Sequence, residues 1–131
     1  HSEQENRDKV NGEVSGRALH EIYLPAFKAS VLEGNTWAIM GAYNKFRGEY
    51  TTHHELLTND ILKGQWDFDG VVISDWSSAH STKKAALYGL DIEMGTGTDG
   101  LGTTTLNHYD NYYLAKPFLK ALKNGEIPET V

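Results

Sequence analysis

Asp75 and Trp76 close the stretch Asp69-Gly70-Val71-Val72-Ile73-Ser74-Asp75-Trp76, whose residue types and order can do chemistry. Val71, Val72 and Ile73 form a short β-branched run, the pattern of a strand covered on both faces. The run turns polar at Ser74 and Asp75. In parallel α/β proteins the working residues gather at the carboxyl ends of strands, which puts Asp75 at a reactive address. Trp76 offers an apolar ring face on which a sugar or another flat ligand can rest. A carboxylate at this position also suits the cap of a following helix, and position alone leaves both roles open.

The elements that must position Asp75 alternate in type along the chain. Residues 1 to 14 are polar and aperiodic and read as a loop after a strand that is missing. A helix is expected over about Ser15 to Glu33, with Leu19, Ile22, Tyr23, Ala26, Phe27 and Ser30 at helical spacing and Gly34 as its stop. Pro25 inside it predicts a kink or a restart. Trp37–Tyr43 reads as a strand, followed by the turn-like Asn44-Lys45-Phe46-Arg47-Gly48. Thr52-His53-His54-Glu55 matches a capping box that opens a second helix, which buries Leu57 and Ile61 and ends at Gly64. After the strand Gly70–Asp75 come a helix over about Ser78 to Tyr88 with Gly89 as its stop, and a strand Leu90–Met94. A Gly/Thr-rich loop leads to a last helix over about Asn111 to Lys123, closed by Asn124-Gly125 and Pro128. This order predicts an α/β protein with parallel strands. Three strands are too few to close a barrel and leave long edges if open, so the choice is a small flavodoxin-like domain or a section of a larger barrel.

Composition excludes several classes. The chain has 131 residues, about one domain, and 39% hydrophobic residues, enough for a core. A net charge of -6 argues against nucleic acid as the main partner. No apolar run approaches the roughly 18 residues of a membrane span. Without cysteine there is no disulfide and no thiolate chemistry. Gly95-Thr96-Gly97-Thr98-Asp99-Gly100 spells G-x-G-x-x-G, but Leu101-Gly102-Thr103-Thr104-Thr105 is a poor helix start, so no dinucleotide or other cofactor is expected. His53 and His54 are adjacent and diverge from a helix start, and Asp75, His80 and His108 have no ligand spacing. No metal is expected.

Five motifs in order, Met40-Gly41-Ala42-Tyr43-Asn44, Leu56-Leu57-Thr58 with Ile61-Leu62, Trp66-Asp67-Phe68-Asp69-Gly70, Ser74-Asp75-Trp76 and Gly89-Leu90-Asp91-Ile92-Glu93-Met94, resemble the family 3 glycoside hydrolases of the β-glucosidase type. Gln4-Glu5-Asn6-Arg7, Arg17 to Leu24, and Pro117-Phe118 with Gly125-Glu126-Ile127-Pro128 extend the resemblance over essentially the whole chain.

The resemblance implies a retaining β-D-glucosidase acting on terminal non-reducing β-glucosyl residues of a β-glucoside or oligosaccharide. Residues 1–131 would then be the C-terminal part of a (β/α)8 TIM-like barrel, three consecutive parallel strands alternating with helices. Asp75 matches the family's nucleophile, Trp76 the aromatic beside it, and Met40 and Tyr43 positions lining the sugar subsite. The Tyr43 hydroxyl would reach Asp75. The family's Lys-His pair and an Arg would lie before residue 1, and its acid/base Glu in a downstream α/β domain. The isolated chain is therefore expected to be inactive and to need the other segments of its parent enzyme. Periplasmic or extracellular residence is inherited from the family. β-Xylosidase is a rival within the family, β-N-acetylglucosaminidase fits less well because of Trp76, and a non-catalytic sugar-binding fragment is the rival from another class. Glu93, two residues after Asp91 on the same expected strand, is the local candidate for an acid. With the family's acid placed elsewhere, both are expected to be structural carboxylates.

Overall fold

Two parallel strands and a third reduced to one rung carry Asp75. The computed structural model describes residues 5–95 and 108–131. Strand β2 (Ala38–Met40) pairs in parallel with β5 (Val71–Ile73), in the register Ala38↔Val71, Ile39↔Val72 and Met40↔Ile73. The expected strand Leu90–Met94 meets β5 only at the parallel bridge Ile73↔Ile92. Side chains replace its outer rungs. The Val72 amide donates to Asp91 Oδ2 at 2.7 Å, and the Met94 amide donates to Ser74 Oγ at 2.8 Å. A backbone carbonyl would fill each of these places in a longer parallel ladder. The three carboxyl ends nonetheless lie at one edge, as expected for Tyr43, Asp75 and Met94.

A second small sheet was not anticipated. β1 (Asn11–Gly12) pairs in parallel with β3 (Lys45–Phe46), which pairs antiparallel with β4 (Glu49–Tyr50). The turn-like Asn44–Gly48 is thus the start of a hairpin, with Arg47 and Gly48 at positive φ, and residues 1–14 are not all loop.

The helices depart from expectation where proline or burial dictates. The first comprises α1 (Gly16–Ala18), a π-helical turn Leu19–Tyr23 and α2 (Pro25–Leu32). Pro25 has no amide, and its ring crowds the carbonyl four residues earlier. The widened turn, with the Leu24 amide on Leu19 O at 2.9 Å, makes room for it. The capping box does not form. Thr52 falls in a 3₁₀ turn, Thr51–His53, and is fully buried, while the next helix, Leu56–Gln65, is π-helical. Helix α3 (Thr82–Leu87) starts later than Ser78 because Ser78 and Ala79 are buried, and Ser81 Oγ caps it by accepting from the Lys84 amide. A 3₁₀ turn, His108–Asn111, precedes α4 (Lys116–Lys123) in place of one long helix.

Val72, 1% exposed, lies in a core with Leu19, Ile61, Trp66, Phe68 and Leu90. Helix Leu56–Gln65 is tied to the end of α3: Asn59 Nδ2 donates to Leu87 O at 2.8 Å and the Thr58 hydroxyl donates to Tyr88 O. Gly89, at φ +84°, allows this approach, since a Cβ there would sit 2.4 Å from Asn59 Oδ1. Among the described residues no helix is long and apolar enough to cross a membrane.

Candidate functional site

Asp75 leaves the end of β5 half-buried, and its Oδ1 accepts two hydrogen bonds. One comes from the Tyr43 hydroxyl at 2.9 Å, the other from the Trp76 amide at 2.7 Å. Since α3 is capped by Ser81, Asp75 is not that helix's cap. The loop beyond is held against the third strand. Ser74 is buried and donates its amide to Ile92 O, while Ser77 takes φ +60° and donates its amide to Met94 O and Gly95 O. A left-handed serine is a locally unfavourable conformation of the kind found beside working sites.

Tyr43 follows β2 and bridges to the Asp75 loop. Burial first, then the hydrogen bond to Asp75 and the charge of Asp75, raise the phenol's pKa above 10, with Arg7 opposing. The hydroxyl therefore stays protonated and donates. Arg7, whose guanidinium carbon lies 4.4 Å from the centre of the Tyr43 ring, is a site residue that spacing did not reveal. Its only signal was its place in Gln4-Glu5-Asn6-Arg7. Trp76 is 62% exposed, and Gly95 packs beside its indole, because a Cβ on Gly95 would come 2.7 Å from Cδ1. Met40 is the last residue of β2 and is 51% exposed. The sequence-expected set thus forms two layers: Tyr43 touches Asp75, whereas Trp76 and Met40 present open surface near the same strand ends.

Asp91 and Glu93 serve other partners. Asp91 binds Lys63 Nζ at 2.7 and 2.9 Å and accepts the Val72 amide. Glu93 accepts the Tyr113 amide at 3.2 Å and the Leu114 amide at 2.7 Å. Burial raises the Glu93 pKa, and those two amides oppose the rise. His54 Nε2 lies 3.1 Å from Phe46 O, and His80 stacks on Tyr50 at 3.7 Å. Thr96 to Gly100 of the glycine motif and the side chain of His108 lie outside the described residues. A hollow of about 350 Å³ lined by His20, Lys28, Glu33, Gln65 and Trp66 sits among the helices and includes none of the site residues.

The chain as a whole has counterparts among known proteins. Residues 2–130 match the model of the glycosyl hydrolase family 3 N terminal domain, so the resembling domain is the family's N-terminal one and not a C-terminal one. A β-glucosidase of Bacteroides ovatus is 58% identical over 125 residues, covering 95% of this chain and 17% of that enzyme. An exo-α-(1→6)-L-arabinopyranosidase of Bifidobacterium longum is 38% identical over 93 residues, covering 71% of this chain and 12% of that protein. β-Glucosidase 3B of Thermotoga neapolitana, solved in complex with α-D-glucose, superposes with a TM-score of 0.81 at 32% identity, over 95% of this chain and 17% of that one. The chain thus spans about a sixth of the length of the two β-glucosidases.

Proposed function

The chain belongs to glycoside hydrolase family 3, and from that membership we propose that it is the later part of a (β/α)8 barrel in a larger retaining β-D-glucosidase, carrying the nucleophile Asp75. The observation that carries this reading is the 2.9 Å hydrogen bond from the Tyr43 hydroxyl to Asp75 Oδ1 at the carboxyl edge of parallel strands. Retention uses two carboxyl groups about 5–5.5 Å apart across the glycosidic bond. Asp75 attacks the anomeric carbon, forming an ester as the bond to the leaving oxygen breaks. An acid from another segment of the parent enzyme protonates that oxygen. In the second step the same group, now a base, takes a proton from water, whose oxygen displaces Asp75 and frees the sugar. Tyr43 and the Trp76 amide hold the carboxylate during attack. The exposed Trp76 ring supports the sugar's apolar face, and Met40 borders the same subsite. Glu93, engaged by two backbone amides, is not the acid.

Asp75→Asn in the complete parent enzyme tests the assignment. It keeps the shape but removes the charge and most of the nucleophilicity, and the rate should fall by several powers of ten with little change in melting temperature. A 2-deoxy-2-fluoro-β-glucoside should label the wild type on the peptide containing Ser74-Asp75-Trp76. Label on the Asp91/Glu93 peptide, or full activity in Asp75→Asn, removes Asp75 from the mechanism. Aryl β-glucoside, β-xyloside and α-L-arabinopyranoside assayed together rank the substrates, with the glucoside expected first. The 131-residue chain by itself should hydrolyse none of them.

A further inference from the structure

Tyr43 and Asp75 come from different strands, and their mutual hydrogen bond is only half-buried, so water competes for it. The β2–β5 ladder, whose last bond is the Gly41 amide on Ile73 O at 2.8 Å, ends two residues short of both Tyr43 and Asp75. A contact beyond it must therefore set their separation. The buried turn Thr51–His53 touches both chain segments. On the Tyr43 side, the Thr51 amide donates to Asn44 O at 3.1 Å, and its hydroxyl lies 3.1 Å from both Ala42 O and Asn44 O. These are the carbonyls directly before and after Tyr43. The backbone of Thr52 also packs on Gly41, where a Cβ would fall 2.7 Å from Thr52 Cα.

On the Asp75 side, the Ser78 hydroxyl donates to Thr52 Oγ1 at 3.1 Å, and both residues are fully buried. The His80 amide donates to His53 Nε2 at 3.3 Å, and His53 is 1% exposed. Ser78 in turn donates its amide to Asp75 O at 3.2 Å, so a shift of Ser78 passes directly to Asp75. Three consecutive residues therefore grip the carbonyls flanking Tyr43 and the loop leaving Asp75, without reaching the carboxylate.

We propose that this turn is the spacer that sets the Tyr43–Asp75 separation, with Thr52 as its positioning residue through the buried hydroxyl pair with Ser78. Thr52 offers an acceptor of fixed reach, held on one side by the glycine it packs against. The kinetic consequence rests on the glycosidase reading above, whereas the geometric one does not.

The test uses the complete parent enzyme. Thr52→Val keeps the branched shape and removes the acceptor, stranding the Ser78 hydroxyl. A misplacement near 1 Å away from the chemistry costs about 100-fold, so kcat on an aryl β-glucoside should fall about 10- to 100-fold. KM should stay within about threefold, because the sugar contacts are untouched. Thr52→Ser restores the acceptor and should return kcat to within about threefold of wild type. Ser78→Ala removes the donor from the other side and should reproduce the loss, which keeps the test open if Thr52→Val does not fold. In a crystal structure of whichever variant folds, Tyr43 Oη and Asp75 Oδ1 should part beyond about 3.5 Å. The clamp is overturned if kcat is retained, if Thr52→Ser fails to restore it, or if the Tyr43–Asp75 bond is intact in the variant. Should the wild-type parent hydrolyse no glycoside, the glycosidase reading falls and the crystallographic distance alone decides the clamp.

Discussion

Replacing Tyr43 by Phe isolates the atom that meets Asp75. The change removes one hydroxyl and leaves the ring, so the cation–π contact with Arg7 survives. Asp75 Oδ1 loses the donor at 2.9 Å and keeps the Trp76 amide at 2.7 Å. A hydrogen bond to a charged group contributes about 1.5–3 kcal/mol, and a half-buried one belongs in the lower part of that range, about 1.5–2 kcal/mol. If the bond orients the carboxylate for attack, its loss appears in the barrier, and kcat/KM for an aryl β-glucoside falls about 10- to 30-fold. The second-order rate of trapping by a 2-deoxy-2-fluoro-glucoside should fall in parallel, because both report the step in which Asp75 attacks. The opposite sign is physically available. A donor that only stabilises the resting anion blunts its nucleophilicity, and removing such a donor speeds attack. An unchanged or faster Tyr43→Phe enzyme, folded as the wild type by thermal melting, would refute the orienting role.

Two further predictions concern pH. Burial holds the Glu93 carboxyl above its ordinary 4.5, so the folded chain binds that proton more tightly than the unfolded chain does. Its contribution to stability is full below 4.5 and is lost as pH rises through the folded value. Melting of the parent enzyme across this range should show that loss, Glu93→Gln should flatten it, and hydrolysis should persist within about threefold in the variant. A collapse of hydrolysis in folded Glu93→Gln would reinstate Glu93 as the acid. For His53, burial holds the imidazole below 6.5, with His54 and Lys84 adding to that effect and Glu49 opposing it. The neutral ring's contribution is present above 6.5 and lost as pH falls through the folded value. His53→Gln should therefore reduce the acid-side fall in melting temperature, and an unchanged acid limb would show that other groups cause it.

What the sequence determined by itself was local. The β-branched run Val71–Ile73 makes a strand, and its polar end marked Asp75, but the expected cover on both faces is missing, since Val72 is buried and Val71 is 37% exposed. Pro25 must restart a helix because its ring and missing amide act within one turn. Gly89 stops a helix in its own backbone. The ordered motifs identified the family, since they record the chain of residues itself and need no contact to be seen. Tertiary structure decided the rest. Thr52 followed by Glu55 spells a capping box, yet its hydroxyl meets Ser78, 26 residues away, because burial on Gly41 leaves no helix end there to cap. The strand Leu90–Met94 shrank to one bridge because Asp91 and Ser74 side chains reached amides that backbone carbonyls would otherwise have taken. Arg7 gained its place over Tyr43 only when the chain folded back. The pairing of Tyr43 with Asp75 spans 32 residues. Resemblance to a family raised it as an expectation, but no local pattern contains it. A hydrogen bond is decided by separation in space, and only packing converts positions along a chain into such separations.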